Sequence, residues 1–304
     1  MTPEDKRKVG GSDVAAVLGM SRYSGPLSVY GRIVDGVEKD DAPAMSMGRQ
    51  LEPLVLAEYA RRTGQSLDYG YAVDEFPHPW LRASLDARAC LPGDPLRLVE
   101  AKTGNWRTRE AWGEPGSEDV PREYLLQTQY YFGVGLACGA IQDEVADIPF
   151  ATVSDDASVT EAGGVTAVWG VSFAGIWKVR YDADVYAFIL EGLERFWRDH
   201  VEPRRPPPST ALASDLEFIR KRYPESTDEY IDGSTLTPDV LWAAEAHVRA
   251  LEEVEIACKD RDDMAARLKL AIGNKAGIRF ANGLRLDWKS DVNGKRSLCW
   301  RKPR

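Results

Sequence analysis

Two carboxylates and one lysine are the residues of this sequence whose spacing suggests chemistry. Glu100 and Lys102 follow the apolar run Leu96–Val99, and Asp86 follows the run Ala83–Leu85 fourteen residues before Glu100. Side chains alternate along a strand, so Glu100 and Lys102 share one face. Opposite charges at the end of a buried strand are costly unless they are paired or used. Such a set can bind a divalent metal and hold a phosphate group.

The pattern Asp-x13-Glu-x-Lys has the spacing of a metal-dependent nuclease core, but it is weak evidence by itself. Any charged globular chain contains chance matches to so short a motif. Glu100 and Lys102 could equally form an exposed ion pair that contributes little to stability. The surrounding segments must decide between these two interpretations.

The elements that would position these groups alternate along the first half of the chain. A helix is predicted from Ser12, as N-cap, to Gly19, and a longer one over 47–62. Pro53 lies inside the second pattern, so Glu52 is expected in the first turn or at a kink. Strands are predicted near 66–76, 81–89 and 96–102. A further helix, beginning at Pro121 and ending near Ala137, would carry Gln127.

The rest of the chain suggests a weakly patterned region, a linker and an extension. Residues 138–181 have uncertain β character with an exposed acidic insertion at 154–164, and 181–200 form an amphipathic helix. We predict a domain over 1–202, a stiff proline-rich linker over 203–212 and a C-terminal extension over 213–304. Within the extension the sequence predicts a short helix at 214–222, a long helix over 237–272 and a hairpin over 277–301.

Composition excludes several classes of protein. No apolar run approaches the roughly 20 residues that cross a bilayer, and the polar N-terminus lacks a signal peptide, so a cytoplasmic location is expected. Four widely spaced cysteines and three histidines offer no zinc or iron–sulfur pattern. Any metal should therefore have oxygen ligands, which favours Mg²⁺ or Mn²⁺.

The charge distribution is uneven. The net charge is −9; residues 1–200 carry 20 Lys+Arg against 31 Asp+Glu, and residues 201–304 carry 19 against 17. Binding to nucleic acid would then need a local basic groove instead of a global positive field.

Four separated blocks together resemble the YqaJ-type viral recombinases, relatives of phage lambda exonuclease among the PD-(D/E)XK nucleases. The blocks are GGSDVAAVLGMSRY at 10–23, MGRQLEP at 47–53, the pair ASLDA at 83–87 and VEAK at 99–102, and VPREYLLQTQYY at 120–131. Their common order and spacing make chance a poor explanation. The resemblance covers about residues 7–200 and implies an α/β restriction-endonuclease-like core, a central mixed sheet flanked by helices, with a C-terminal helical extension.

The resemblance implies a role for each matched position around the strand end. Asp86 and Glu100 would hold the divalent metal, with the backbone carbonyl of Ala101 as a further ligand. Glu52 would reach the same site from its helix. Lys102 would orient the attacking water and stabilise charge on the scissile phosphate.

The remaining matched positions concern the water and the DNA end. Gln127 would help to fix the water and the lysine. Ser12 and Ser84 would contact a terminal 5′-phosphate, assisted by Arg7 or Lys8, where the correspondence is loose. Each has a simpler alternative: Ser12 as N-cap only, Ser84 as an ordinary strand residue, and Gln127, like Glu52, as solvated helix surface.

The function implied is Mg²⁺-dependent digestion of linear double-stranded DNA from 5′ ends, in a phage or prophage protein. It would expose 3′ single strands for a single-strand annealing partner, and a ring-shaped trimer or tetramer is implied by the relatives. The alternatives are a restriction-like endonuclease of the same superfamily and a non-catalytic scaffold that binds DNA ends. The sequence departs from the family at Leu85, where many relatives have Pro, and the extension lies outside the resemblance.

Overall fold

The chain folds into two compact units, Met1–Ser226 and Thr227–Arg304. The computed structural model describes residues 7–37, 40, 42–73, 78–90, 93–162, 165–291 and 294–302; the side chains of 161, 162 and 165–167 are not described. Among the helices so described, none is both long and apolar enough to cross a membrane.

The first unit combines short N-terminal helices, longer helices and a sheet. Its helices are α1 (Val14–Val17), α2 (Pro26–Tyr30), α3 (Pro43–Thr63), α4 (Trp106–Arg109), α5 (Arg122–Ala137), α6 (Ala183–Phe196) and α7 (Ala213–Arg222). Its strands are β1 (Ser66–Val73), β2 (Ala83–Cys90), β3 (Arg97–Val99), β4 (Lys102–Gly104), β5 (Val145–Ala162) and β6 (Val165–Arg180).

In the described residues these strands form one mixed sheet in the order β1-β2-β3-β5-β4, with β6 paired to β5. β3 and β4 run parallel to β5, and the other neighbours are antiparallel. Val99 pairs with Asp147 and Lys102 with Phe150, which is the same offset, so β3 and β4 follow one another along β5. The predicted α/β core, a central mixed sheet flanked by helices, is confirmed.

Helices cover both faces of the sheet. The α3 side is lined by a cluster of small and branched side chains: Val55, Leu56, Tyr59, Ala87, Ala89, Val99, Ala101 and Ala151. The larger core joins α1, α5 and α6 to the sheet through side chains that include Val14, Leu98, Tyr130, Phe132, Ile148, Phe150, Trp177, Ile189 and Leu193. Both clusters hold the strand end that carries Glu100 between packed layers, which is why that carboxylate is only 1% exposed.

Two sequence-based boundaries change in the structure. α3 begins at Pro43, whose fixed φ suits a first helical position, and continues through Pro53 to Thr63. Glu52 therefore lies in the middle of the helix and not in its first turn. The stretch 154–164, predicted as an exposed insertion, is strand over 154–162, where β5 pairs with β6 from Ser158 onward after a register shift. Its side chains over 154–160 are mostly exposed, as predicted, and 163 and 164 lie outside the described residues.

The proline-rich stretch 203–212 lies inside the first unit. Buried Asp215 on α7 accepts hydrogen bonds from the backbone N–H and hydroxyl of Thr210, each at 2.8 Å, and from the N–H of Ser28 at 3.2 Å. These bonds attach α7 to α2. The structure thus places the division between compact units at 226/227, after α7, and not in the proline-rich stretch.

The second unit contains the predicted long helix, α8 (Pro238–Ile272), and a three-stranded antiparallel sheet in its described residues. The strands are β7 (Gly277–Arg279), β8 (Arg285–Ser290) and β9 (Arg296–Arg301). The predicted terminal hairpin is therefore β8–β9 with a third strand added. A three-residue strand such as β7 is too short to show an alternating pattern in sequence.

Candidate active site

The β2–β3 hairpin brings Asp86 and Glu100 together. Its register pairs Ala87 with Val99, so the next pair in the same register is Asp86 and Glu100. There the chain leaves the ladder, because the N–H of Ala101 donates to Asp86 Oδ2 at 3.0 Å. This bond interrupts the strand that the sequence predicted over 96–102, and it separates β3 from β4. The thirteen residues between the carboxylates are thus set by hairpin register.

Glu100 is the centre of a small buried network. Its Oε1 accepts hydrogen bonds from Lys102 Nζ at 2.5 Å and from Gln127 Nε2 at 2.8 Å. Gln127 Nε2 also lies 3.2 Å from the hydroxyl of Tyr131, one turn along α5. The second oxygen, Oε2, is buried and has no hydrogen-bond partner among the described residues. The network therefore holds one carboxylate oxygen in place and leaves the other free to bind a ligand.

The charges of these groups perturb one another. Burial, followed by repulsion from Asp86, raises the pKa of Glu100 to about 8, although Lys102 favours the charged form. Burial also raises the pKa of Asp86, against the effects of Lys102 and the Ala101 N–H. Burial disfavours the charged form of Lys102, but Glu100 and Asp86 outweigh it and raise the pKa of the amine. Lys102 is therefore a cation at neutral pH, suited to binding an anion and unsuited to act as a base.

Glu52 joins the site electrostatically. It is half-buried on α3, and burial, followed by repulsion from Asp86, raises its pKa, whereas Lys102 lowers it. No described hydrogen bond links it to the other carboxylates. Hydrogen bonds thus join Lys102 and Gln127 to Glu100, and Asp86 is held beside them by the N–H of Ala101. Glu52 lies within electrostatic reach of Asp86 and Lys102.

The donor set can be tested against a divalent cation. No group of three or more His, Cys, Asp or Glu side chains lies close enough to hold a metal within the part of the chain that is described. Mg²⁺ commonly uses one or two carboxylates and completes its shell with water and substrate phosphates. Asp86 and Glu100, with the buried unpartnered Glu100 Oε2, fit that type of site. The residues therefore fit a hard cation that shares its ligands with the substrate.

The residues predicted to bind a terminal phosphate are less well assembled. Arg7, Ser12 and Ser84 are exposed, and no described contact joins them. Ser12 is not the N-cap that the sequence predicted: a 3₁₀ turn over 11–13 precedes α1, and Asp13 Oδ2 accepts the N–H of Gly10 at 2.8 Å. Asp13 is the N-cap residue of α1 by position, but its side chain caps the 3₁₀ turn and not α1.

Backbone pairing nevertheless places this turn beside the start of β2. Val9 and Leu81 form a parallel bridge, in which the N–H of Arg82 donates to the carbonyl of Val9 at 2.9 Å. The N-terminal block and the β2 block, about 70 residues apart in sequence, are thereby neighbours in the fold.

Gly11 shows how tightly this turn packs against α5. A Cβ at this position would lie 2.6 Å from ring atoms of Tyr131, which is buried and contacts Gln127. We expect Gly11→Ala to lower the free energy of unfolding by about 1–3 kcal/mol, the usual cost of overpacking. Urea unfolding measures the change. The exposed neighbour provides the control: Ser12→Ala should unfold at the wild-type urea concentration, and equal stability of both variants would contradict the packing argument.

Sequence reasoning missed Arg82. Arg82, Ser84 and Asp86 follow one another at intervals of two residues. In an extended chain, side chains at this spacing point to the same face. Its guanidinium packs over Gly10, where an added Cβ would lie 3.1 Å from Nε, and that Nε is buried without a partner in the described residues. Only the alternation from Asp86 backward could have indicated it.

A second ionic cluster was also missed. Asp147 is 4% exposed and accepts from Tyr59 Oη at 2.7 Å, from Lys178 Nζ at 2.9 Å and from Arg97 Nη1 at 3.3 Å. Its backbone carbonyl accepts the N–H of Glu100 at 3.1 Å. The cluster thus fixes the backbone of the site, and its members lie too far apart in sequence to form a motif.

A known protein family matches the part of the chain that contains the four sequence blocks. Residues 5–138 match the family model of the YqaJ-like viral recombinase domain. The match covers less than half of this chain. The match takes in Glu52, Asp86, Glu100, Lys102 and Gln127, so the site described above lies within the matched residues.

Individual proteins resemble this chain at low identity. The uncharacterized protein YqaJ of Bacillus subtilis (strain 168) is 24% identical over 228 residues, which are 73% of this chain and 62% of that protein. The alignment thus spans less than two thirds of that relative. Among solved structures, the alkaline exonuclease LHK-Exo of Laribacter hongkongensis, in complex with dAMP, has 21% identity and a TM-score of 0.45, covering 72% of this chain and 95% of its own.

A phage-related exonuclease of Haemophilus somnus 129PT has 12% identity and a TM-score of 0.43, covering 64% of this chain and 94% of its own.

Proposed function

We propose that the protein is a Mg²⁺-dependent deoxyribonuclease, with Mn²⁺ as a substitute, that digests linear double-stranded DNA from 5′ ends. The digestion would expose 3′ single strands for annealing during phage-type recombination. The observation that carries the proposal is the buried, unpartnered Oε2 of Glu100, beside Asp86 and the charged Lys102. The similarity of residues 5–138 to the YqaJ-like viral recombinase domain supports a role in recombination.

The side chains divide the work of phosphodiester hydrolysis. Asp86 and Glu100 would hold the metal, with the Ala101 carbonyl as a further ligand and Glu52 from α3. A divalent ion bound there would lower the pKa of water and stabilise the anion that develops on the phosphate. Lys102, kept cationic by its two neighbours, would bind a non-bridging phosphate oxygen.

Gln127 has a positioning role in this scheme. Its amide holds Glu100 Oε1, and its contact with Tyr131 keeps the amide in place on α5. With Oε1 held in this way, Oε2 of Glu100 would always be the oxygen that faces the metal and the substrate. Such a fixed geometry is what a preorganised site requires.

Three substrates test the proposal directly. Purified protein is incubated with Mg²⁺ and linear duplex DNA carrying 5′-phosphate, the same duplex after dephosphorylation, and a closed circular duplex. We expect loss of the linear duplexes only, and faster loss with the 5′-phosphate. A label at the 5′ end of a strand should be released before a label at its 3′ end. Cleavage of the circle would indicate an endonuclease, and no cleavage with Mg²⁺ or Mn²⁺ would indicate a DNA-end-binding scaffold.

The same assay examines the DNA end. Ser12 and Ser84 would contact the terminal phosphate, with Arg7 nearby, and Arg82 adds a guanidinium group whose Nε is buried without a partner in the described residues. Arg82→Gln should narrow the rate difference between phosphorylated and dephosphorylated ends while the dephosphorylated duplex is still digested. An unchanged ratio would remove Arg82 from the end-binding site.

The proposal also includes the oligomeric state of the protein and a protein partner. A homo-oligomeric ring and a single-strand annealing partner follow from the resemblance of the blocks at 10–131. Light scattering of the purified protein, with and without linear duplex, distinguishes a trimer or tetramer from a monomer.

A further inference from the structure

The sheet of the second unit has one strongly cationic face. Its register pairs Arg279 with Arg285 and Arg285 with Arg301, so three arginines stand side by side across β7, β8 and β9. Adjacent strands lie about 4.8 Å apart, and directly paired side chains point to the same face. Lys289, farther along β8 at an even spacing from Arg285, faces the same way.

Little negative charge balances this face. Asp287, on the same face of β8, pairs with Arg285 at 2.8 Å and lies 3.8 Å from Arg301. Arg279 and Lys289 are exposed and have no carboxylate within ion-pair distance in the described part of this unit. Residues 275–302 contain eight Lys and Arg against two Asp, in a chain whose net charge is −9.

The opposite face explains why the arginines stay in solvent. Leu286, on that face, is 1% exposed. Trp288 lies on the same face, and Nζ of Lys269 on α8 lies 5.3 Å from the centroid of its ring. The guanidinium of Arg296 also packs on the Trp288 ring, 4.6 Å from its centroid. The sheet is thus anchored by its apolar face within its own unit, which leaves the arginine face open.

We propose that the face formed by Arg279, Arg285, Lys289 and Arg301 binds the phosphate backbone of duplex DNA, independently of the nuclease site. Like charges placed directly opposite one another across strands are destabilising, and a polyanion relieves that repulsion. The planar guanidinium matches a phosphate with two parallel hydrogen bonds.

The chemistry of the face selects this partner over others. The described residues of the face include no aromatic side chain, so it lacks the stacking surface that recognises single-stranded bases. It also lacks the apolar residues that insert into a lipid surface. A duplex carries one negative charge per about 1.7 Å of axis, the densest match for a row of cations.

The test uses the full chain in EDTA, where no hydrolysis occurs, with a closed circular duplex that offers no end. The variant is Arg279→Gln/Lys289→Gln/Arg301→Gln, which keeps Arg285 as the partner of buried Asp287. The control removes three charges from α8: Arg249→Gln/Lys259→Gln/Arg267→Gln. Thermal unfolding of both confirms that the unit is folded.

We expect the sheet variant to bind the circle at least about tenfold more weakly. The slope of log affinity against log salt should fall by about 2–3, near one unit for each phosphate that the variant no longer neutralises. The α8 variant should bind like the wild type. Equal affinity of the two variants would overturn the proposal, as would weaker binding confined to single-stranded DNA or to anionic vesicles. Because binding is measured without turnover, a failure of the nuclease proposal leaves this result unaffected.

Discussion

Lys102→Ala should lower the rate of DNA hydrolysis by at least about a hundredfold, the usual cost of losing a group that stabilises charge in the transition state. Lys102 is the cation held 2.5 Å from Glu100 Oε1, and its raised pKa keeps it charged at neutral pH. The variant should remain folded, because Glu100 can keep a proton when its cation is removed. Initial rates on linear duplex with saturating Mg²⁺ measure the effect.

Lys178 provides a matched control for this variant. It also pairs with a buried carboxylate of the same sheet, Asp147, at 2.9 Å, but Asp147 keeps Tyr59 and Arg97 as further partners. Lys178→Ala should retain activity. Normal activity in Lys102→Ala, or equal decreases in both variants, would refute the assignment of Lys102 to the site.

Glu100→Gln should abolish hydrolysis to within the limit of detection, at least about a thousandfold, since it removes a ligand charge while preserving shape. The amide oxygen can still accept from Lys102 and Gln127, so the packing around residue 100 is kept. The stabilisation of wild-type protein against heat by Mn²⁺ should disappear in this variant. Glu191→Gln, on the exposed face of α6, should leave both activity and the Mn²⁺ effect unchanged.

The same substitution changes how stability depends on pH. In metal-free wild type the pKa of Glu100 is about 8, above the ordinary value of 4.5. Between these values the folded protein holds a proton that the unfolded chain has released, so the free energy of unfolding falls as pH rises from about 4.5 to about 8. Asp86, whose pKa is also raised, contributes with the same sign.

Urea unfolding in EDTA at pH values of about 5.5, 7 and 8.5 follows this effect across the window between the two pKa values. We expect stability to decrease with pH less steeply in Glu100→Gln than in wild type, because only Asp86 and Glu52 then contribute this slope at the site. Parallel pH curves for the two proteins would show that Glu100 is not protonated in the metal-free fold.

Much of the candidate site could be found in the sequence because its spacing is local. Asp86 and Glu100 are joined by one hairpin, whose register fixes their separation, and strand alternation places Lys102 on the same face as Glu100. The helix that carries Gln127 follows a proline and has an apolar face. Such features depend on neighbours close in sequence, and for this reason α5 and α8 were predicted nearly to their ends.

Contacts between distant segments were decided only by the tertiary structure. Asp147 accepts a hydrogen bond from Tyr59, 88 residues away in sequence. The guanidinium of Arg82 packs against Gly10, which is also distant in sequence. No spacing rule predicts such pairs, because the packing of α3 and of the N-terminal turn on the sheet sets them. The arginine row of the second unit also needed a third strand, β7, whose three residues carry no periodic signal.

For the opening motif, the sequence determined which charged groups could meet, through the hairpin spacing of Asp86, Glu100 and Lys102. It could not determine that Glu100 is 1% exposed, with one oxygen bonded and the other without a partner among the described residues. Those properties arise because α3 and α5 close over the strand end from opposite faces and remove it from water. Burial by non-local layers, and not the motif itself, gives the carboxylate its raised pKa and its capacity to bind a cation.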